Sequence, residues 1–89
     1  MVSLYRVQLT KQAKADLTRL DRVMAQRVLN RIRWLADNFD TVTPQPLAGK
    51  WQEYSKLRAG DYRIIYRVER AEPVTLIIEF IRHRREVYK

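Results

Sequence analysis

The sequence predicts an α+β domain over residues 1–89, with an N-terminal strand and a helical hairpin packed on a small, mostly antiparallel sheet in the order β-α-α-β-β-β. Three observations predict it: an alternating start, two capped segments with apolar stripes at helical spacing, and a second half of short apolar runs broken by turn residues. One face of such a sheet is left for a ligand.

From Leu4 to Leu9, Tyr5, Val7 and Leu9 alternate with Arg6 and Gln8, the period of a half-buried strand. Thr10 is placed to cap a helix over Lys11 to Leu20, where Ala13, Leu17 and Leu20 share one face. Asp21 caps a second helix whose stripe, Met24, Val28, Ile32, Leu35 and Phe39, runs out near Asn38. The arginines between them, Arg19, Arg22, Arg27, Arg31 and Arg33, read as its wet side.

Asp40 to Trp51 holds Pro44, Pro46 and Gly49 and keeps no period, so it reads as a loop. Ser55 to Arg58 and Tyr62 to Arg70 flank Ala59-Gly60-Asp61, where Gly60 supplies a positive φ, and form a hairpin. Tyr62, Ile64, Tyr66 and Val68 share its core face. After a turn at Ala71-Glu72-Pro73, Val74 to Ile81 is apolar on nearly both faces, as in a central strand. Trp34 and Trp51 are expected among the packing residues.

Composition narrows the function. Eighteen Lys+Arg against ten Asp+Glu give a net charge of +8, which makes a polyanion the first partner to consider. The absence of cysteine removes disulfides, thiolate metal sites and thiol nucleophiles, and makes a reducing, cytoplasmic setting the natural expectation. No apolar run approaches the roughly 18 residues that cross a bilayer, so no membrane role is expected. One histidine, scattered acids and the lack of a Walker loop, GxGxxG or Gly-x-Ser-x-Gly point away from zinc, nucleotide and hydrolase chemistry and toward catalysis without a metal or cofactor.

Basic and aromatic residues interleave in three places, Trp51 to Arg58, Asp61 to Arg67 and Arg82 to Tyr88. Cations for phosphates beside rings for unstacked bases suit single-stranded RNA better than a duplex.

Lys56-Leu57-Arg58-Ala59-Gly60-Asp61-Tyr62-Arg63-Ile64-Ile65-Tyr66, followed by His83-Arg84-Arg85-Glu86-Val87-Tyr88, resembles the two signature blocks of the RelE/ParE toxin superfamily, nearest its RelE branch. Pro46-Leu47-Ala48-Gly49-Lys50-Trp51 is similar to that family's loop before the first hairpin strand. The resemblance implies a toxin that enters the ribosomal A site, cuts mRNA there, and is held inactive in a hetero-oligomer with a cognate, RelB-like antitoxin. It puts Lys56 on a lysine implicated as base, Arg63 on the arginine that steadies the phosphate, Arg82 near the leaving group, and Tyr88 on the tyrosine that stacks on or orients the substrate. Lys50, Tyr54, Arg58, Arg84 and Arg85 complete the implied RNA-binding set. His83 is an alternative acid or base, since an imidazole exchanges protons near neutrality more readily than lysine or arginine. Tyr54 stands where some members have a second lysine, with Lys50 or Glu53 as substitutes, and the C-terminal helix of some members is missing. The ParE branch implies a different outcome on the same fold, inhibition of DNA gyrase by binding alone, and a plain nucleic-acid-binding module is a third reading.

Overall fold

The computed structural model describes residues 5–71 and 73–87. Strand β1 (Arg6–Leu9) leads into α1 (Lys11–Arg19) and α2 (Arg22–Asn38). A two-residue strand β2 (Gln45–Pro46) and a 3-10 turn (Gly49–Trp51) precede β3 (Ser55–Ala59), β4 (Tyr62–Glu69), β5 (Thr75–His83) and the single helical turn α3 (Arg84–Val87). The sheet order is β1-β5-β4-β3-β2, with β1 parallel to β5 and every other pair antiparallel.

The predicted α+β class and element order hold, and so do both helix caps. Thr10 Oγ1 accepts the Ala13 N–H at 3.1 Å, and an Asp21 carboxylate oxygen accepts the Met24 N–H at 2.8 Å. Each satisfies one of the amide donors that a helix start leaves without a partner inside the helix. The α2 stripe is buried as its spacing predicts: Val28, Ile32, Leu35 and Phe39 join Leu57, Ile64, Tyr66, Leu76, Ile78 and Ile81 in one core, with Met24 packed against it. Gly60 has φ 61° and, among the described residues, only glycines are in the positive-φ region, which gives the two-residue β3–β4 turn its type II′ pattern.

Two sequence expectations are corrected. The loop from Asp40 contains β2, because Gln45 and Pro46 pair with Lys56 and Ser55. A helical turn, α3, also follows β5, anchored where the Arg84 N–H donates to the Asp61 carbonyl at 2.7 Å.

The apolar character of β5 on both faces has a local cause. Its pairing with β4 slips at Ile65/Tyr66: Ile65 faces Phe80 while Tyr66 faces Ile78, so Glu79 is an extra residue. Before this bulge Leu76 and Ile78 point into the core, and after it Ile81 does. The bulge is held from the neighbouring chain, since Thr10 Oγ1 donates to the Glu79 carbonyl at 2.6 Å and the Thr10 N–H donates to Ile78 at 3.0 Å.

Past Ile78, β5 has outrun β1 and would present a bare edge. Asp16 of α1 covers it. Its carboxylate is 4% exposed, accepts the Ile81 N–H at 2.9 Å and the Gln12 amide at 2.8 Å, and pairs with Arg82 Nη1. At the opposite edge of the sheet, Arg31 Nε donates to the Arg58 carbonyl at 3.0 Å.

Replacing Asp16 by alanine leaves a buried N–H and a guanidinium without their acceptor. Asp16→Ala is expected to lower unfolding free energy by about 1.5–3 kcal/mol in denaturant titration, whereas loss of an ordinary exposed ion pair costs at most about 1 kcal/mol. Tyr66 supplies a pH-dependent term. Burial raises its phenol above the ordinary range, partly offset by a hydrogen bond with Ser55. The folded state therefore keeps this proton to higher pH than the unfolded chain, and the associated stability is complete below about pH 10 and lost above it. Tyr66→Phe should show a shallower fall of stability than the parent between neutral pH and pH 11, read by chemical denaturation at each pH.

Candidate RNA interface and its family

Alternation along β3 turns Ser55, Leu57 and Ala59 toward the helices and Lys56 and Arg58 to the other face, the pattern seen in burial. On β4, Ile64 and Tyr66 enter the core while Arg63 and Ile65 are on the opposite side. The register then aligns two rows across three strands: Arg58, Arg63 and Arg82 in one, and Lys56, Ile65 and Phe80 in the other. This second face has an apolar floor, because Ile65 and Ile77 are buried although they lie outside the core cluster. The stems of long neighbours such as Lys56 beside Ile65 and Arg67 beside Ile77 suit that shielding.

Lys56, Arg58 and Arg63 open onto one cleft of about 140 Å³, completed by Gln45 of β2. Arg63 is 9% exposed, so its guanidinium forms the recessed part of a cationic hollow. A preformed set of positive donors in a partly dehydrated recess is suited to the crowded charge of a phosphate. A larger hollow of about 450 Å³ shares Gln45, Lys56 and Arg58 but is lined also by Arg31, Trp34, Val42, Leu57 and Tyr66, which places it at the α2 side of β3, and it lacks Arg63.

The other expected residues distribute as follows. Arg82 faces Arg63 in the register, yet its guanidinium bonds Asp16 and the Ile81 carbonyl and lies 5.0 Å from the Phe80 ring, at the β5 edge. It lines a separate small hollow with Asp16, Arg19 and Tyr62. His83 pairs with Tyr62 on the side opposite Arg63, the two rings meeting edge to face at 5.3 Å, and its Nδ1 accepts the Arg85 N–H at 3.2 Å. The bulge precedes both residues, so plain alternation from Phe80 onward keeps Arg82 and His83 on different faces. Arg84 and Arg85 are exposed on α3. Tyr88 lies outside the described residues. Arg67, by contrast, is held by Glu79 at 3.0 Å and by Glu69 at 3.7 Å.

Four residues take places that the sequence did not assign to them. Gln45 completes the cleft from a segment read as loop. Asp16 holds Arg82, and its one visible signal was a carboxylate beside Leu17 on the otherwise apolar α1 stripe. Trp34 and Trp51, expected to pack inside, are 40% and 51% exposed. Trp34 lies under Arg31, 4.1 Å from its ring centre, while Trp51 contacts Tyr54 and Lys50.

Comparison with known proteins decides the family: residues 7–88 match the ParE toxin of type II toxin-antitoxin systems. The chain belongs to this family. As a toxin of the RelE/ParE superfamily it shares its fold with several solved structures. One is a chain of the RelBE2 toxin-antitoxin complex from Mycobacterium tuberculosis, at 27% identity and TM-score 0.78, with 93% of each chain covered. Another is a chain of the RelE-RelB complex from Pyrococcus horikoshii, at 25% identity and TM-score 0.69, covering 91% of this chain and 96% of that one. The YoeB/ParE toxin from Agrobacterium tumefaciens is 22% identical with TM-score 0.71, over 88% and 96%, a likeness of fold. No curated protein matches the toxin in sequence. Among the described residues no helix is long and apolar enough to cross a membrane.

The aligned cations oppose one another, since like charges directly across a sheet destabilise it. Arg58 uses only its carbonyl toward Arg31, so Arg58→Gln removes repulsion with Arg63 without breaking that bond. The variant is expected to be more stable than the parent by about 0.2–1 kcal/mol at low ionic strength, with the gain shrinking as salt is added. Thermal unfolding at two salt concentrations measures it.

Proposed function

We propose that this toxin is a ribosome-dependent mRNA endonuclease that cuts without a metal ion. The observation that carries the reading is the shared cleft of Lys56, Arg58 and Arg63 on adjacent strands. Its support from likeness is the resemblance of the Lys56–Tyr66 block to the RelE branch, together with the RelE chains among the similar structures.

In this reading the scissile phosphate lies against Arg63 and Arg58, whose donors meet charge as it develops on the phosphoryl oxygens. Lys56, the one proton-transfer candidate of the expected set that lines the cleft with Arg63, takes the proton of the 2′-hydroxyl. The 2′-oxygen attacks phosphorus, the bond to the 5′-oxygen breaks, and that oxygen takes a proton from solvent water as it leaves. The products are a 2′,3′-cyclic phosphate and a 5′-hydroxyl. Arg82, facing Arg63 from β5, is the group next in line to meet the leaving oxygen once a substrate phosphate competes with Asp16 for it. Tyr88 retains the substrate-orienting role that the resemblance implies. His83, paired with Tyr62, is assigned support of the β4–β5 end and not proton transfer.

The test is cleavage of message on programmed ribosomes by purified toxin. Arg63→Ala should lower the rate by about 100-fold or more, with circular dichroism unchanged, and Lys56→Ala by about 100- to 10,000-fold. Normal cutting by a folded Arg63→Ala variant would remove the assignment.

The match to a ParE family favours one further reading, inhibition of DNA gyrase by binding. A supercoiling assay separates the two, since gyrase inhibition with no ribosomal cleavage supports the ParE outcome. Under either reading we propose a cognate antitoxin as partner in a hetero-oligomer, as in the mycobacterial and archaeal complexes. Growth arrest on expressing the toxin alone, relieved by co-expression of that partner, is the expected behaviour in cells.

A further inference from the structure

We infer that the tip of the β2–β3 hairpin is a base-stacking subsite, in which Trp51, flanked by Tyr54 and Lys50, receives an unpaired nucleobase of the strand whose phosphate occupies the Lys56–Arg63 cleft. The inference rests on the endonuclease reading and adds to it a binding residue outside the two signature blocks, in the loop before β3.

The placement follows from the hairpin. Gln45 and Pro46 pair with Lys56 and Ser55, the Leu47 N–H donates to the Tyr54 carbonyl at 2.9 Å, and the Tyr54 N–H donates to Trp51 at 2.9 Å. Gly49, with φ 66°, allows the tight reversal that brings Trp51 back against Tyr54. The hairpin therefore runs on from Gln45 and Lys56, two of the four residues around the cleft, and ends in the aromatic pair. Tyr54 precedes Lys56 by two positions, one repeat of about 6.5–7 Å along an extended chain.

The exposure of Trp51 calls for a cause. An indole half open to water at a hairpin tip contributes little to the core, and its ring meets Tyr54 at 5.7 Å with a tilt of 51°, short of the parallel overlap that would cover it. Lys50 Nζ lies 5.5 Å from the ring centre. A π surface with a cation beside it, in line with a cationic recess on a chain of net charge +8, matches one kind of ligand in shape and charge together: a base joined to a phosphate. Stacking is tolerant of base identity, so this subsite adds grip and register and leaves sequence preference to other contacts.

The experiment uses the full chain and a single-stranded decaribonucleotide carrying 2′-O-methyl groups throughout, which binds without reacting. In a Trp34→Phe background Trp51 is the sole tryptophan, and its fluorescence should be quenched as the oligonucleotide is added. Trp51→Ala should weaken binding between about 5- and 150-fold, while Trp51→Phe, which keeps a ring, should stay much closer to the parent. On programmed ribosomes Trp51→Ala should raise KM more than it lowers kcat. Binding by Trp51→Ala within twofold of the parent overturns the subsite, and so does a Trp51→Ala variant that loses affinity for the antitoxin alone. Quenching of Trp51 in a toxin that cuts no message would overturn the endonuclease reading and leave the subsite standing. Message cutting with KM and kcat unchanged by Trp51→Ala would do the reverse.

Discussion

In a sheet covered by helices on one side, a shift of one residue exchanges everything a strand buries for everything it exposes. The added residue Glu79 makes that exchange once, inside β5. Upstream of it Leu76 and Ile78 meet the helices, and downstream Ile81 takes over that role while Phe80 and Arg82 turn to the other side. Without the bulge Phe80 would enter the core, Ile81 would leave it, and Arg82 would no longer face Arg63. Thr10 holds the arrangement at its weakest point, accepting from the start of α1 and donating to the bulge carbonyl with the same hydroxyl.

Both long edges of the sheet are finished by side chains of the helical hairpin. On the β5 side Asp16 accepts the amide left over when β1 stops, and on the β3 side Arg31 donates to a carbonyl that the two-residue β2 does not reach. The Asp16 carboxylate does more than close an edge. Because it also binds Arg82, it draws one member of the arginine row toward α1 and leaves Arg58 and Arg63 with Lys56 at the cleft. The row is thus split into a tethered cation and a group of clustered ones.

Clustering has a cost in folding and a use in binding. Directly opposed guanidinium groups repel, and burying Arg63 to 9% exposure adds a desolvation term. A polyanion entering the cleft offsets the repulsion between the opposed cations, so the same charges that oppose each other in folding favour binding. That is the physical basis on which the proposed function stands. Arg67, four positions after Arg63 on β4, is held by Glu79 and Glu69 and does not line the cleft.

Most of the fold was legible in local pattern, because helix stripes, caps and a glycine turn are written within a few residues of one another. Val28, Ile32 and Leu35, the Thr10 and Asp21 caps and the Gly60 turn all lie where spacing puts them. The family blocks marked Lys56, Arg58 and Arg63 for the same reason. What tertiary structure alone decided was which of the marked residues meet. The side on which His83 falls depends on strand register, the tether on Arg82 depends on a helix 66 residues earlier in the chain, and Gln45 enters the cleft by pairing across a hairpin. Exposure of Trp51 belongs to the same class, since a tryptophan's hydrophobicity predicts burial and only the position of the hairpin tip, away from the helices, leaves the ring in water. Local chemistry is carried by neighbours in sequence, whereas a site is a meeting of distant residues, and that meeting is set by packing.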